Sequence, residues 1–210
     1  MGKKKKHRLF NMIAPIYGWF FKHQQKKYTE VVEDIVKSID ISEYHSVLDI
    51  GCGTGALASV FFDKGLDVNA VDASPKMIKV AQKKNNDRSI RFLTKDVLNT
   101  LPFEDKSFDL VIASYVAHGL VKEDRSKLYH EMSRLAKHFV IIHDYNQQRA
   151  PLISFIETLE GGEYFNFVES PVDDMLTCMH DMEQCFNTVD KIDVGARASW
   201  YICTPFDDIR

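Results

Sequence analysis

Five short runs of apolar, β-favouring residues recur at positions 46–50, 67–71, 90–94, 108–113 and 139–143. Between them, at 56–64, 75–85 and 124–137, the apolar residues fall at helical three- and four-residue spacing. Strands alternating with helices in this way predict βαβ units, right-handed crossovers and a parallel sheet covered on both faces. The end of the chain breaks the rhythm. Segments 184–194 and 197–203 flank Gly195 and Ala196, which predicts two strands joined by a tight turn, an antiparallel hairpin at the sheet edge. Ahead of the first strand, 11–39 reads as helical, with Pro15 and Gly18 interrupting its early part. Two more helices are expected at 151–160 and 171–182, separated by Gly161 and Gly162. The fold class is therefore α/β, a seven-stranded and mostly parallel sheet with a C-terminal antiparallel hairpin.

At 210 residues, 45% hydrophobic and 27% charged, the chain suits one α/β core with additions. Residues 1–43 are expected to form an N-terminal helical cap or lid, and 44–210 the domain it covers. The net charge of -3 gives no global attraction to nucleic acid phosphates. The basic run Lys3-Lys4-Lys5-Lys6-His7-Arg8 reads as a solvated, frayed terminus, with peripheral contact to an anionic membrane as its functional alternative. Cys52, Cys178, Cys185 and Cys203 contain no C-x-x-C pair, and a bridge at Cys52 would distort a glycine-rich turn. A reduced, cytoplasmic protein is expected. No apolar run approaches the roughly 20 residues that span a bilayer, and the N-terminus lacks a leader-type apolar region. No histidine or cysteine spacing suggests a metal.

The first strand runs into Asp49-Ile50-Gly51-Cys52-Gly53-Thr54-Gly55, an acid followed by three glycines at alternate positions. Glycine there tolerates positive φ and lets a ligand approach the backbone, while the amides of the next helix face it. The acid two residues before the first glycine favours a nucleoside without a phosphate over a pyrophosphate. Ligands of open α/β sheets sit beyond the carboxyl ends of the strands, and acids fall at three of those ends. Asp49 ends the first strand, Asp72 the second, and Asp96 follows the third. Asp72 stands where a carboxylate accepts both hydroxyls of a ribose and rejects a 2′-phosphate. Ala73-Ser74-Pro75 then looks like a helix start, which fixes where Asp72 points. Asp96 suits the amino group of an adenine, the Val97 amide a ring nitrogen, and Met77 the adenine face. Each acid also has a plain reading as a helix cap or turn.

These motifs resemble the class I S-adenosylmethionine-dependent methyltransferases. Asp49-x-Gly51-x-Gly53-x-Gly55 matches the first motif of that family, and Val71-Asp72-Ala73-Ser74-Pro75-Lys76-Met77-Ile78 the second. Lys95-Asp96-Val97, Leu101-Pro102-Phe103 and Phe108-Asp109-Leu110-Val111 follow. The likeness covers residues 44–144 and implies a Rossmann-like three-layer sandwich. It also implies that the glycine loop holds the methionine moiety of S-adenosylmethionine, Asp72 the ribose, and Asp96 with Val97 the adenine. Ser114 would lie near the sulfonium. Asn11-Met12-Ile13-Ala14-Pro15-Ile16-Tyr17 is similar to the N-terminal element of the ubiquinone/menaquinone group, in which a tyrosine folds over the cofactor; here that is Tyr17, followed by Gly18 in place of the usual acid.

Methyl transfer from a sulfonium is an in-line displacement, so alignment and exclusion of water matter most, and a base is needed only for acceptors that must lose a proton. His118 and His143 are the candidate catalytic residues. Asp144 beside His143 reads equally as a helix cap or as a partner. Aromatic residues Tyr17, Trp19, Phe20 and Phe21, with Tyr164, Phe165 and Phe167, suggest a pocket roof or ordinary helix packing. The expected function is methyl transfer to a small-molecule acceptor. A catalytically inactive S-adenosylmethionine-binding protein is one rival, and a nicotinamide-dependent oxidoreductase another. A nucleic acid substrate is disfavoured, because Ser114-Tyr115-Val116-Ala117 stands where an Asn/Asp-Pro-Pro-Tyr/Phe motif is expected.

Overall fold

The computed structural model describes residues 11, 14, 17–36, 39–145, 179–194 and 198–206. Helix α1 (Phe21–Val36) leads into β1 (Ser46–Ile50), α2 (Ala56–Asp63), β2 (Asp67–Asp72), α3 (Pro75–Lys84), β3 (Arg91–Thr94) and β4 (Phe108–Ser114). Then come α4 (Lys122–Leu135), β5 (Ala136–Tyr145), β6 (Thr188–Asp193) and β7 (Ala198–Thr204). One seven-stranded sheet has the order β3-β2-β1-β4-β5-β7-β6. Strands β1 to β5 pair in parallel, and β7 runs antiparallel to both β5 and β6. The order in which strands are added reverses between the parallel neighbours β1 and β4, which puts the topological switch point at their carboxyl ends.

The apolar runs lack polar alternation because both faces of the sheet are covered. Along β4, Val111 and Ala113 join a core with Leu128, Tyr129 and Met132 of α4, together with Met182, Phe186 and Tyr201. Leu110 and Ile112 point the other way, into a core with Leu57, Val60 and Phe61 of α2, Ile78 of α3 and Val32 of α1. The period of two thus sorts successive side chains between two dry layers.

The observed β6–β7 pair is the expected hairpin, but β6 begins at Thr188 because residues 184–187 close the preceding helix, with the Cys185 and Phe186 amides bonded to the Met182 carbonyl; the turn at Gly195 and Ala196 lies outside the described residues. So do the basic run Lys3 to Arg8, the helix expected at 151–160, Gly161, Gly162, Tyr164, Phe165 and Phe167. Of the helix expected at 171–182, residues 179–182 are described and are helical. The junction of α4 and β5 also differs from expectation. Helix α4 ends at Leu135 and β5 begins at Ala136, so Ala136 and Lys137, good helix formers, are in strand. The parallel bridge of Ala136 to Phe108 draws them into the sheet. Among the described residues no helix is long and apolar enough to cross a membrane, and no cluster of His, Cys, Asp or Glu could hold a metal ion.

Candidate functional site

The loop after β1 is shaped by three left-handed glycines, with φ of 71° at Gly51, 52° at Gly53 and 74° at Gly55. A Cβ on Gly51 would lie 2.5 Å from Val116 Cγ2, and one on Gly55 2.9 Å from the Phe92 ring, so both positions require glycine for space as well as backbone. Gly53 differs, because a Cβ there would meet nothing within 4 Å. The middle of the loop therefore faces open room.

Asp72, the last residue of β2, turns back onto this loop. Its carboxylate accepts from the Gly53 amide at 2.9 Å and from the Ser74 amide at 2.7 Å. Ser74 caps α3 by accepting from the Met77 amide at 3.2 Å, with Pro75 at the first helical position. Lys95 donates its amide to the Asp72 carbonyl at 3.0 Å, drawing the segment after β3 alongside. In that segment Asp96 accepts from the Leu98 amide at 3.0 Å, and half-buried Val97 rests on the core below. Asp96 therefore makes a turn-type bond at the same strand end where a ligand would meet it.

Asp49 lies within β1 and is 1% exposed, and its Oδ2 has no hydrogen-bond partner. Burial and the neighbouring Asp72 push its carboxyl up to about 7, against the Ala58 amide, which opposes the shift. Cys52 sits half-buried in the loop, with its thiol raised well above its ordinary value by burial, Asp49 and Asp72. That is the opposite of an activated nucleophile.

The N-terminal residues reach the same end of the sheet. Tyr17 and Ala14 pack with Met77 and Val80 of α3, and Ala73 lies half-buried next to Asp72. The Asn11 side-chain oxygen accepts from the Ser74 hydroxyl at 2.8 Å and the Lys76 amide at 3.3 Å. From α1, Gln24 accepts from the Thr54 hydroxyl and Gln25 donates to Ser59. The hydroxyls of Tyr28 and Ser114 lie 3.0 Å apart, and Ser114 Oγ is 2.9 Å from His143 Nδ1.

The two histidines occupy different surroundings. His143 is 2% exposed and lies between the rings of Tyr28, Tyr115 and Trp200. Burial pushes it down to about 4, with Asp144 opposing, so its ring is neutral near neutral pH. His118 stands in the short helical turn after β4, and its side chain is 20% exposed. Its Nδ1 is 2.8 Å from Asp144 Oδ1, and its amide donates to Asp144 Oδ2 at 3.0 Å. The buried carboxylate at the end of β5 thus grips His118 at two points, leaving His143, its chain neighbour, to Ser114. Tyr115 adopts a left-handed φ of 55°, with its amide bonded to the His143 carbonyl at 2.7 Å. Burial, and then Asp144, raises its phenol to about 12.

Sequence reasoning passed over Tyr28, the contact of Asn11 with Ser74 and the pairing of Asp144 with His118. Tyr28 carried a signal, since Phe21, Gln25, Tyr28 and Val32 follow one stripe of a helix. The other two are contacts between distant segments and left no local mark. The fourth-strand residue Asp109, quoted above as motif, faces away from the site. It accepts from the amides of His45 and Ser46 at the opposite end of β1.

Residues 48–141 match the protein family described as a methyltransferase domain. A demethylmenaquinone methyltransferase from Paenarthrobacter aurescens is 36% identical over 61% of this chain and 49% of its own length. The chain thus spans about half the length of that relative. Among solved structures, a candidate S-adenosyl-L-methionine-dependent methyltransferase from Methanococcus maripaludis superposes with a TM-score of 0.70, at 21% identity and over 94% of each chain. Magnesium protoporphyrin IX methyltransferase from Synechocystis, solved with bound S-adenosylmethionine, gives 0.58 at 18% identity, covering 86% of this chain and 80% of that one. These two likenesses concern the fold. With the sheet order and the glycine loop they give the chain a Rossmann-like fold of the methyltransferase type, and residues 48–141 within it match a methyltransferase domain.

Proposed function

We propose that the protein transfers the methyl group of S-adenosylmethionine to a small-molecule acceptor. One observation carries the reading: the carboxylates of Asp49 and Asp72 flank a glycine loop whose middle residue, Gly53, faces open space. Two acids there suit a ligand with hydroxyls and an ammonium, and repel the pyrophosphate of a dinucleotide. In this reading Asp72 receives the ribose, Asp96 and Val97 the adenine edge, and Met77 the adenine face. Gly51, Cys52, Gly53, Gly55 and Ala73 line the cradle, and the unpartnered Asp49 Oδ2 faces the ammonium of the methionine moiety. Tyr17 and Ser114 border the reacting end. The cap expected from residues 1–43 belongs over that end in this reading, supported by the docking of its described residues Asn11, Gln24, Gln25 and Tyr28.

When bound, S-adenosylmethionine supplies a methyl group activated by a sulfonium leaving group. The chain's own task is then to orient the acceptor and take its proton. His118 fits this task, because a carboxylate gripping Nδ1 favours the tautomer with the lone pair on Nε2. Its proton would rest on Nε2, with the charge balanced by Asp144. His143, buried and neutral, suits positioning Ser114. The name of the Paenarthrobacter relative supports a ring acceptor of the quinol type. Cys52, Cys185 and Cys203 are free thiols, which supports the cytoplasm as the compartment.

The test is transfer of label from S-adenosylmethionine to matched quinol, phenol, amine and thiol acceptors. Label in a hydroxylated ring, lost in His118→Gln, supports the proposal. Binding of S-adenosylmethionine with no transfer to any class favours an inactive binding protein instead.

A further inference from the structure

Helix α1 has two faces. Phe21 and Val32 are buried, Gln25 bonds Ser59 and Tyr28 bonds Ser114, so this stripe faces the domain. The other side carries Trp19, Lys22 and Lys26 in its first half and the exposed Glu30 and Glu33 beyond them, so the basic part is the half next to Trp19. Helical turning continues across the junction, as the Phe20 amide bonds the Tyr17 carbonyl and the Gln24 amide bonds the Phe20 carbonyl. Trp19 is 89% exposed and Phe20 55%. Large aromatic side chains exposed side by side mark an interaction surface more often than a bare one.

The surface next to them is basic. Gly18 lies against α3, since a Cβ on it would stand 3.1 Å from Val80 Cγ1 and 3.8 Å from Lys84 Cε. On α3, Lys76, Lys79, Lys83 and Lys84 are exposed and follow the helical spacing that includes Val80. Residues 17–29 hold three lysines and 73–86 hold four, with no Asp, Glu or Arg in either stretch. In a chain of net charge -3, this is a local concentration of one sign around two exposed aromatics. Lys3 to Arg8 add to that charge in sequence.

We propose that this face seats the protein on an anionic lipid surface. Trp19 and Phe20 enter the headgroup region, and the lysine ammonium groups meet the lipid anions while their stems lie along the apolar boundary. Lysine without arginine over 17–29 and 73–86 fits a diffuse anionic surface better than nucleic acid, whose phosphates and base edges favour the guanidinium fork. The inference goes beyond methyl transfer and does not depend on it.

The full chain is tested on vesicles of phosphatidylcholine with and without phosphatidylserine, by cosedimentation and tryptophan emission. Trp200 is fully buried, so a change in emission reports Trp19. Binding about tenfold stronger to the phosphatidylserine vesicles, weakened by salt and accompanied by a blue shift, is expected. The W19A/F20A double variant should lose the blue-shifted state. The K79E/K83E double variant should bind about tenfold more weakly at an unchanged melting temperature. Equal binding to both vesicles, or full binding by K79E/K83E, overturns the proposal. So does tighter binding to polyuridylate than to the vesicles at the same salt, which would assign the face to nucleic acid.

Discussion

Burial moves Asp49 and His143 in opposite directions, and the two shifts have opposite consequences for stability. The Asp49 carboxyl is raised to about 7, so the folded state holds a proton that the unfolded state releases above its ordinary pKa near 4. Its contribution is complete below that value and is lost as pH rises through about 7. His143 is lowered to about 4, so folding excludes a proton that the unfolded state binds below about 6.5; its contribution is lost as pH falls from there. Asp49→Asn should therefore raise the melting temperature of the ligand-free protein at pH 8 relative to wild type, with little difference at pH 5. The same change should weaken S-adenosylmethionine binding, because the ammonium loses its counter-charge; equal melting shifts at both pH values would contradict the coupling. Asp72→Ala should weaken the cofactor by about 1.5 to 3 kcal/mol, the usual effect of lost charge-assisted bonds, measured by calorimetry. His118→Gln and Asp144→Asn should each lower kcat more than they alter cofactor affinity. Paired with one another in a double-mutant cycle, they should be less than additive, since each breaks the same unit.

Among the elements, α3 shows how a local signal survives folding. Ser74 and Pro75 announced its start, and the structure adds that the Ser74 hydroxyl donates to Asn11. Ser74→Ala should cost about 1 kcal/mol in denaturant unfolding, from the lost cap, and should also release the residue 11 contact. Asn11→Ala removes that contact and the weaker bond from the Lys76 amide while keeping the Ser74 cap, and should therefore destabilise α3 less than Ser74→Ala does, as hydrogen exchange would report. The glycine loop was readable for the same reason, since the left-handed φ at Gly51, Gly53 and Gly55 is a local condition of the turn, whereas the close approaches of Val116 to Gly51 and of Phe92 to Gly55 come from distant segments. The end of α4 was not readable, because no Gly or Pro stops the helix and pairing with β4 decides the matter. Nor was the length of β5, whose last residues are held by antiparallel partners on β7, with Tyr145 opposite Ala198. The polar chain from Tyr28 through Ser114 to His143 and the grip of Asp144 on His118 join residues 86, 29 and 26 positions apart. Tertiary packing creates such contacts, and no periodicity along the chain encodes them.

At the scale of the whole molecule, strand order places everything that matters at one end of the sheet. Because β2 and β4 flank β1, their carboxyl ends bring Asp72, the glycine loop and Ser114 together, while β5 delivers His143 and Asp144 alongside. Asp109 shows the converse, since it tethers the opposite ends of β1 and β4 and leaves the site alone. The central claim is that this end accepts S-adenosylmethionine. Calorimetric titration of the purified chain, stripped of bound ligand, with S-adenosylmethionine, S-adenosylhomocysteine and NAD in parallel tests it directly. The account predicts saturable binding of the first two, growing stronger from pH 6 to pH 8 as Asp49 ionises, and none of NAD. Binding of NAD alone would contradict the roles assigned to Asp49, Asp72 and Asp96 together.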